Sequence, residues 1–397
     1  MIVSTDLFDL LDAQRSFSKQ LPQSNGQCLQ LRADEFQVKT PYYRAGQKRK
    51  RDDSSDDRDQ RNKADVETEQ RHKELRPFLV QCLEQIPKPL QQSHRESKGI
   101  EEGTDDDLKR QDDKSIDFVG LSEMARIQSH FAMPSSSEQT MEQDVNAMEV
   151  LDVFNSWIKN RSDTCKFLEL RHEKQPRYVI PPRSAFYMGD MASSMTNLVA
   201  ESERVAGFDF IVMDPPWPNK SVHRSGRYET QDIYQLFQIP MPKIMSSGSC
   251  LVAVWVTNKP KFRRFVTDKL FKKWKIKEIG TWLWIKVTTQ GEPVIPLDSP
   301  HRKPYEQLVV GYYSNDVTLH PNIPKERAIV SVPCRRHSRK PPLQDIFAPY
   351  LPKEAKRLEM FARCLLPGWT SWGNECLKFQ HMQYFEDATT QKEKESL

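Results

Sequence analysis

The chain has few glycines and no closely spaced cysteines. Its 14 glycines include no GxGxxG loop, the phosphate-binding turn of many nucleotide-binding folds. Its seven cysteines are scattered without a CxxC pair, which favours reduced intracellular thiols. Because closely paired ligands are missing, no metal site is expected.

Long apolar runs and a strong net charge are also missing. No stretch approaches the roughly 18 apolar residues of a membrane span, and residues 1–15 carry acids where a signal peptide carries basic residues. We therefore expect neither a membrane partner nor a signal peptide. The net charge of +4, from 59 basic and 55 acidic residues, excludes a uniformly basic nucleic-acid binder but not a basic face on one region.

Charged residues concentrate in one N-terminal stretch. With 37% apolar and 29% charged residues, the chain is more polar than a compact domain, so we expect a folded and an unfolded part. Residues 46–114 are predicted to be a mostly disordered, charged linker, because Ala64 and Val66 are the only apolar residues between 46 and 74. Within this linker, the apolar spacing over 75–90 predicts a docking helix.

The segments on either side of this linker are predicted to be partly ordered. Residues 1–45 contain an apolar cluster at 7–11 that predicts one or two amphipathic turns packing on the later domain. Residues 115–175 are predicted to be a small helical part, because the apolar positions of 141–158 follow a three-four rhythm. At the other end of the chain, 386–397 are expected to be a flexible tail.

From residue 176 to 385 the pattern is one of alternating strands and helices. Apolar runs predict strands at 208–213, 249–256, 276–287, 307–312, 328–332 and 370–372. One-sided apolar spacing predicts helices at 259–274, 341–351 and 352–365. Strands separated by helices predict an α/β layered domain with a largely parallel sheet.

Asp214-Pro215-Pro216-Trp217 follows directly on the first of these strands. Ligands of open α/β sheets bind at the carboxyl ends of strands, so this is an active-site position. An exocyclic aromatic amine is a poor nucleophile, and acceptors on its hydrogens (the Asp214 carboxylate and the Pro215 carbonyl) would localise its lone pair. The prolines hold these acceptors in place, and Trp217 offers a face for stacking a base. The alternative interpretation is a proline-rich turn with Trp217 merely packed.

Asp-Pro-Pro-Trp is the signature of the eukaryotic adenine-N6 methyltransferase family, and the chain resembles this family over about 176–385. The matching blocks are 208–220, 255–258, 296–306, 331–333 with 337–342, and 366–379. The resemblance implies a Rossmann-like, S-adenosylmethionine-dependent methyltransferase fold in permuted order, which accounts for the missing glycine-rich loop. It also implies N6 methylation of adenine in nucleic acid. One subgroup further suggests U2 small nuclear RNA, at an adenosine already methylated on its ribose 2′-oxygen.

The same resemblance implies contacts to S-adenosylmethionine. An acidic residue before the signature is matched by Asp190, and a Gly-Asn pair by Gly373 with Asn374. A Glu-x-Phe-x-Arg segment is matched at 359–363, where a surface ion pair on a helix is the alternative. The full expected set is Asp190, Met191, Asp214, Pro215, Tyr305, Glu359, Phe361, Arg363, Gly373, Asn374 and Glu375. Glu375 departs from the Gln of many relatives.

Three basic clusters are candidates for substrate binding. The first follows the signature directly, and it combines cations with an aromatic residue as a loop closing over a polyanion would need. The candidates are Lys220, His223, Arg224, Arg227, Tyr228, His301, Arg302, Lys303, His337, Arg339 and Lys340. Basic and aromatic side chains together favour a single-stranded or locally opened substrate. The alternative is solvated basic loops, and the lysine-rich face of helix 259–274 is interpreted as a solvated face.

Localisation and partners follow from fewer signals. The basic run Gln47-Lys48-Arg49-Lys50-Arg51 is typical of a nuclear import signal, so a nuclear location is expected. The expected partner is nucleic acid, RNA ahead of DNA. A monomer is expected, with an obligate partner subunit left open. The competing functions are a DNA adenine-N6 methyltransferase and a catalytically inert RNA-binding partner.

Overall fold

A computed structural model describes residues 2–19, 21–42, 63–90, 138–140, 147–154, 156–171, 176–218, 233–300, 302–316, 322–336 and 338–388. The predictions made for 43–62, 91–137 and 389–397 lie outside the described residues. All seven cysteines are free thiols, and Cys28 is the exposed one. In the described part, no helix is long and apolar enough to cross a membrane.

The strands carry the fold. They are β1 (Ile2–Ser4), β2 (Phe8–Leu11), β3 (Leu29–Leu31), β4 (Glu138–Thr140), β5 (Ala147–Glu149), β6 (Trp157–Asn160), β7 (Lys166–Arg171), β8 (Arg177–Ile180), β9 (Ser184–Met188), β10 (Phe210–Met213), β11 (Ser249–Val256), β12 (Lys277–Lys286), β13 (Tyr305–Ser314), β14 (Ala328–Ser331), β15 (Arg357–Met360), β16 (Trp369–Gly373) and β17 (Phe385–Asp387). Twelve of them form one sheet in the order β1-β2-β14-β12-β13-β11-β10-β15-β16-β9-β6-β4. Seven neighbouring pairs are parallel and four are antiparallel.

Helices cover the sheet. They are α1 (Ala13–Ser18), α2 (Lys63–Gln85), α3 (Met191–Arg204), α4 (Met241–Ile244), α5 (Pro260–Arg264, continued by a π-helical stretch Phe265–Leu270 and a last turn Phe271–Trp274) and α6 (Gln344–Phe347). Residues of α3, α4 and α5 pack on Ile211 and Met213 of β10. Residues of α1, β3 and α6 pack on its alternate residues, Phe210 and Val212. Because successive strand residues point to opposite faces, β10 lies in a layer covered on both sides.

The predicted α/β class is confirmed, as are the strands around 208–213, 249–256, 276–287, 307–312 and 328–332. Strand β11 contains three Val and one Trp, residue types that suit a strand buried on both faces. The predicted helix at 259–274 also forms, and it ends where Lys275 adopts a left-handed conformation, with φ of 58°.

Helix α2 corrects the linker prediction. It begins at Lys63, so 63–74 are not part of a disordered linker. The predicted docking over 75–90 is confirmed, because Leu75, Leu79 and Cys82 pack on β12 and β14. The 63–74 turns are polar in sequence, but Arg264 and Lys303 form ion pairs with Glu67 and Glu69 on them.

Three further helix predictions were wrong. Residues 7–11 form strand β2, although the expected packing on the later domain is confirmed by pairing with β14. The described part of 141–158 holds strand β5, a 3-10 turn and the start of β6. The described residues within 115–175 thus form strands β4 to β7 and a 3-10 turn, with no α-helix among them. Within 352–365, buried Leu358 and Met360 alternate with Glu359, which is the period of strand β15. Of the predicted 341–351 helix, only short turns form at 344–350.

Candidate active site

Strand β10 lies at a reversal in strand order. It pairs in parallel with β11 on one side and with β15 on the other, and both strands follow it along the chain. The carboxyl ends of β9, β16, β15, β10 and β11 therefore share one edge of the sheet. Such a reversal opens a crevice in which α/β proteins bind ligands. Asp214 is the first residue beyond β10 and lies in that crevice.

The Asp214 carboxylate is held by two cations through one oxygen. Its Oδ2 accepts from Arg363 Nη1 at 2.5 Å and lies 3.2 Å from Lys340 Nζ. The side chain is only 12% exposed, so these contacts are shielded from water. Its other oxygen, Oδ1, has no hydrogen-bond partner among the described residues. The carboxylate is thus fixed in place with one acceptor still open.

Asp214 is the centre of a row of side chains with alternating charge, here called the charge ladder. Its members are Lys286, Glu306, Lys340, Asp214, Arg363, Glu375 and Lys378. Lys340 Nζ lies 2.9 Å from Glu306, and Arg363 Nε lies 3.0 Å from Glu375. The ladder crosses the ends of β12, β13, β10, β15 and β16, so it ties the strand ends together and fixes both cations at Asp214.

The ladder shifts the pKa values of its members. Burial raises the pKa of Glu306, but Lys286 and Lys340 outweigh burial and hold this pKa well below its ordinary value. For Lys340, burial lowers the pKa, and the carboxylates of Asp214 and Glu306 more than compensate, so its pKa is raised. Both side chains are therefore charged at neutral pH, and Lys340 is a permanent cation beside Asp214.

A cleft opens beside Asp214 and is lined by Glu359 and Arg339. Burial, reinforced by the nearby Asp214 charge, raises the pKa of Glu359 to about 8. Its carboxyl forms no hydrogen bond or ion pair with any residue in the described ranges, and the buried Nε of Arg339 has no hydrogen-bond partner there. Polar groups left without a partner at a cleft are candidates for contacts to a polar ligand.

The residues predicted to contact a cofactor come together, with one exception. Asp190 caps helix α3 by accepting from Ala192 N, and Gly189 N donates to Gly373 O at 3.3 Å. This contact brings the Asp190-Met191 and Gly373-Asn374-Glu375 segments to adjacent strand ends. Glu359, Phe361 and Arg363 follow one another along and beyond β15, where Phe361 has φ of 59°. Glu359 and Arg363 are thus on a strand end rather than on a helix.

Tyr305 is the exception. Its ring points away from the cleft and stacks on His72 of helix α2, with centroids 5.8 Å apart. The Tyr305 hydroxyl lies 3.2 Å from His72 Nδ1. Tyr305 therefore stabilises the docking of α2 and does not line the cofactor cleft.

Pro215, Pro216 and Trp217 of the signature form a turn. Pro215 O accepts from Trp217 N at 2.8 Å, which occupies one of the two lone pairs of that carbonyl. The indole of Trp217 is 9% exposed, packs on Phe262 and donates to Trp255 O at 2.8 Å. In this state the ring is a core side chain, and base stacking on it stays a prediction. Truncating it would open a cavity, so that change tests the fold as well as the site.

Two of the residues predicted to bind substrate have structural contacts instead. Lys303 is 5% exposed and reaches Ser299 O and Glu69, which anchors helix α2. Arg339 is buried between Phe17 and Phe379 and donates to Phe379 O. Lys340 belongs to the charge ladder, and Arg302 is exposed. The other candidates, Lys220, His223, Arg224, Arg227, Tyr228, His301 and His337, lie outside the described residues.

Sequence reasoning missed Lys286 and Glu306. Lys286 ends strand β12, and Glu306 lies next to the start of β13, which runs antiparallel to it. A charged residue at each end of the connection between two predicted strands was the available signal. In the described ranges, no group of three or more His, Cys, Asp and Glu side chains is arranged to hold a metal ion.

A sheet covered on both faces, with an acidic residue and a cleft at its switch point, defines an α/β protein of the Rossmann-like type. The MT-A70 family profile matches residues 208–375, which include the Asp-Pro-Pro-Trp signature and the matched 359–375 segments. The chain belongs to the MT-A70 family.

Named relatives come from animals and fungi. The chain is 42% identical over 285 residues to the human N(6)-adenine-specific methyltransferase METTL4, covering 68% of this chain and 58% of the relative. It is 40% identical over 213 residues to the N6-methyladenosine RNA methyltransferase MTA1 of Pyricularia oryzae, covering 51% and 55%. It is 30% identical over 259 residues to a DNA N6-methyl methyltransferase of Caenorhabditis elegans, covering 63% and 68%. The chain thus spans under two thirds of the length of the first two relatives.

Proposed function

We propose that this chain transfers a methyl group from S-adenosylmethionine to the N6 amine of an adenine in nucleic acid. The observation that carries the proposal is the Asp214 carboxylate, with Oδ2 fixed by Lys340 and Arg363 and Oδ1 open toward the crevice. Such an acceptor orients an amine without having to reorganise during the reaction. The names of the MT-A70 relatives support the same reaction.

The amine is activated by two acceptors. Asp214 Oδ1 and the remaining lone pair of Pro215 O accept hydrogen bonds from the two N–H groups of the amine. These bonds localise the nitrogen lone pair and stabilise the positive charge that develops on the nitrogen. The nitrogen–carbon bond forms as the carbon–sulfur bond breaks, a neutral thioether is left, and the extra proton of the amine passes to solvent. Because two cations already engage Asp214, its role here is to orient the amine.

The cleft fits S-adenosylmethionine by the chemistry of its side chains. The cofactor carries a sulfonium methyl group, an amino acid part and a nucleoside, so it needs both carboxylates and cations. Glu359 offers a half-buried carboxyl without a partner in the described ranges, and Arg363 lines the same cleft as a cation.

RNA is the proposed polymer. Within it, we propose U2 small nuclear RNA at a 2′-O-methylated adenosine, which would give N6,2′-O-dimethyladenosine. The support is the resemblance of the sequence blocks to one subgroup of the family. DNA is the second candidate, and the name of the C. elegans relative favours it.

Nuclear location and a self-sufficient monomer complete the proposal. The basic run 47–51 supports nuclear import. Helix α2 supports the monomer, since it covers apolar Leu283, Ile285 and Val330 of the sheet with the chain's own residues. An obligate dimer in sedimentation of the active protein would overturn the monomer. A catalytically inert RNA-binding subunit is the competing reading, and it would not need to bind S-adenosylmethionine.

The test is transfer of labelled methyl from S-adenosylmethionine to matched RNA and DNA oligonucleotides, each with and without a 2′-O-methyl group at the target adenosine. Nucleoside digestion and mass spectrometry identify the product. Label in N6-methylated adenosine is expected, greatest on 2′-O-methylated RNA. Label on DNA alone would overturn the choice of polymer. If no polymer is labelled and calorimetry detects no binding of S-adenosylmethionine, the proposal that the chain is a methyltransferase is overturned.

A further inference from the structure

A cluster of aromatic and lysine side chains lies on the surface close to the signature. It is called the aromatic–lysine patch and consists of Tyr234, Phe237, Phe265, Lys269 and Lys273. Tyr234 is 52% exposed, and it is the one aromatic side chain among the exposed large hydrophobic residues of the described ranges. An exposed ring of this size needs an account, because Tyr is ordinarily at least half covered in a folded domain.

The ring of Tyr234 is held in a fixed position. It stacks on Phe237 with centroids 6.0 Å apart and meets Phe265 edge-on at 5.6 Å. The 3-10 helix that carries it, Ile233–Gln238, is tied to helix α5 because Trp274 Nε1 donates to Ile239 O at 3.1 Å. A supported aromatic ring loses little entropy when a flat partner stacks on it.

The cations of the patch are exposed, and they form no ion pair within the described residues. Lys269 Nζ lies 5.3 Å from the Tyr234 ring centroid, and Lys273 Nζ lies 5.2 Å from that of Phe237. Arg263 and Arg264 on the same helix do form ion pairs. The one acidic side chain of α5, Asp268, accepts from Thr267. In the part of the chain that the structure describes, the patch therefore presents two exposed lysines beside an aromatic face.

The patch lies near the Asp-Pro-Pro-Trp signature. Buried Phe265 contacts Tyr234 on one side and Trp217 of the signature on the other, with ring centroids 5.6 Å and 6.5 Å away. Two ring contacts beneath the surface thus separate the exposed ring of Tyr234 from the signature. Phosphates match the lysines, and a base matches the exposed ring, which is how single-stranded nucleic acid is bound without sequence readout.

We propose that the aromatic–lysine patch binds a single-stranded segment of the nucleic-acid substrate next to the target adenosine, with a base stacked on Tyr234 and phosphates at Lys269 and Lys273. The inference rests on the proposed function, because that function makes nucleic acid the substrate. It changes the interpretation of the lysine-rich face of α5 from a solvated face to a binding face.

The experiment measures binding of a fluorescein-labelled single-stranded RNA to the full chain by anisotropy over a series of salt concentrations. Tyr234→Ala is expected to weaken binding by about 5- to 100-fold, and Tyr234→Phe, which keeps a stacking face, by about two-fold or less. The pair Lys269→Gln and Lys273→Gln is expected to lower the slope of log K against log salt by roughly 1.4, about 0.7 for each phosphate contact. A single-stranded DNA of the same sequence is measured alongside.

The matched control is the pair Lys325→Gln and Lys353→Gln, exposed lysines before the amino ends of β14 and β15, at the far edge of the sheet. This pair is expected to leave the slope unchanged. Wild-type affinity and slope in both patch variants, or an equal loss in the control pair, would overturn the patch. Because binding is measured without catalysis, a wild-type protein that binds through the patch but transfers no methyl would contradict the proposed function alone.

Discussion

The charge ladder and the aromatic–lysine patch both contain lysines close to the Asp-Pro-Pro-Trp segment, but the partners of those lysines differ. In the ladder, the two inner cations, Lys340 and Arg363, each lie between two carboxylates; Lys340 is 3.2 Å from Asp214 and 2.9 Å from Glu306. Its side chain is 18% exposed. In the patch, Lys269 and Lys273 are exposed and face aromatic rings instead of acids.

The difference teaches what a basic residue contributes at each place. A shielded cation with two carboxylate partners fixes geometry, and its removal leaves charges of one sign facing each other. An exposed cation without an acidic partner contributes little to stability and remains available to a polyanion. The ladder should therefore respond to mutation in catalysis and stability, and the patch in binding.

The largest effect is expected from Asp214→Asn. The amide keeps the shape of the side chain but is a weaker acceptor and competes with the amine as a donor. We expect kcat to fall by about 10²–10³-fold, the loss typical for one preorganised group at a developing charge. Single-turnover methyl transfer on the best oligonucleotide measures it. Asn is preferable to Ala because it keeps the volume of the side chain and one oxygen acceptor between Arg363 and Lys340.

Two controls accompany this variant. The thermal unfolding midpoint is expected to fall, because the amide leaves Arg363 and Lys340 without their shared negative charge, so the rate is measured well below that midpoint. The affinity for single-stranded RNA should be retained, because the patch is unchanged. A rate near that of the wild type would mean that the amine is activated elsewhere.

The next effect concerns Glu359 and pH. Its pKa of about 8, raised by burial, stands against an ordinary value of 4.5. Below pH 4.5 the carboxyl is protonated in the folded and the unfolded chain. As pH rises from there towards 8, the unfolded chain releases the proton first, so stability is lost through this window. Glu359→Gln cannot ionise, so its free energy of unfolding should not show this decrease, which amounts to at most a few kcal/mol in the wild type.

Urea unfolding at a series of pH values measures this change. The exposed Glu354→Gln serves as control and should leave the pH profile as it is in the wild type. An identical profile in Glu359→Gln and the wild type would mean that Glu359 is ionised in the folded chain.

A smaller effect is expected from Glu306→Gln. Its depressed pKa means that the carboxylate stabilises the fold above its ordinary pKa, and that this stabilisation is lost as pH falls. The amide would leave Lys286 and Lys340 facing each other, at a cost of about 1–3 kcal/mol, below that of a fully buried pair because 26% of Glu306 is exposed. Urea unfolding at neutral pH measures it. Glu169→Gln, which breaks the exposed pair with Arg177, should cost under about 1 kcal/mol. Equal costs would refute the contrast.

The sequence predicts those elements whose apolar residues form a long or regularly spaced pattern. Strands β10 and β11 and helix α5 follow from their apolar patterns, because each is buried by its own residues. The apolar part of helix α2 is predicted from its spacing, but the start of the helix at Lys63 is not. Arg264 and Lys303, which are distant in sequence, form ion pairs with the first turns of the helix and stabilise them. Short strands such as β2 and β15 are too brief to be separated from a helical turn by period.

The site divides in the same way. The signature, the 359–363 segment and the 373–375 segment follow from short motifs, and they meet because their strands end at one edge. Lys303 and Arg339 resemble surface cations in sequence, and only tertiary packing makes them buried anchors. Lys286 and Glu306 acquire their roles from pairing across strands, which no local pattern contains.

The smallest effect sharpens the comparison most. Replacing both Lys269 and Lys273 by Gln should change the free energy of unfolding by less than about 0.5 kcal/mol, because neither lysine forms an ion pair with a described residue and both are exposed. The same variant should raise the KM for a long single-stranded substrate while leaving kcat, and should leave KM unchanged for an oligonucleotide too short to reach the patch. A loss of stability as large as that of Glu306→Gln would mean that these lysines support the fold. An equal rise in KM for both substrates would mean that they act on the active site itself.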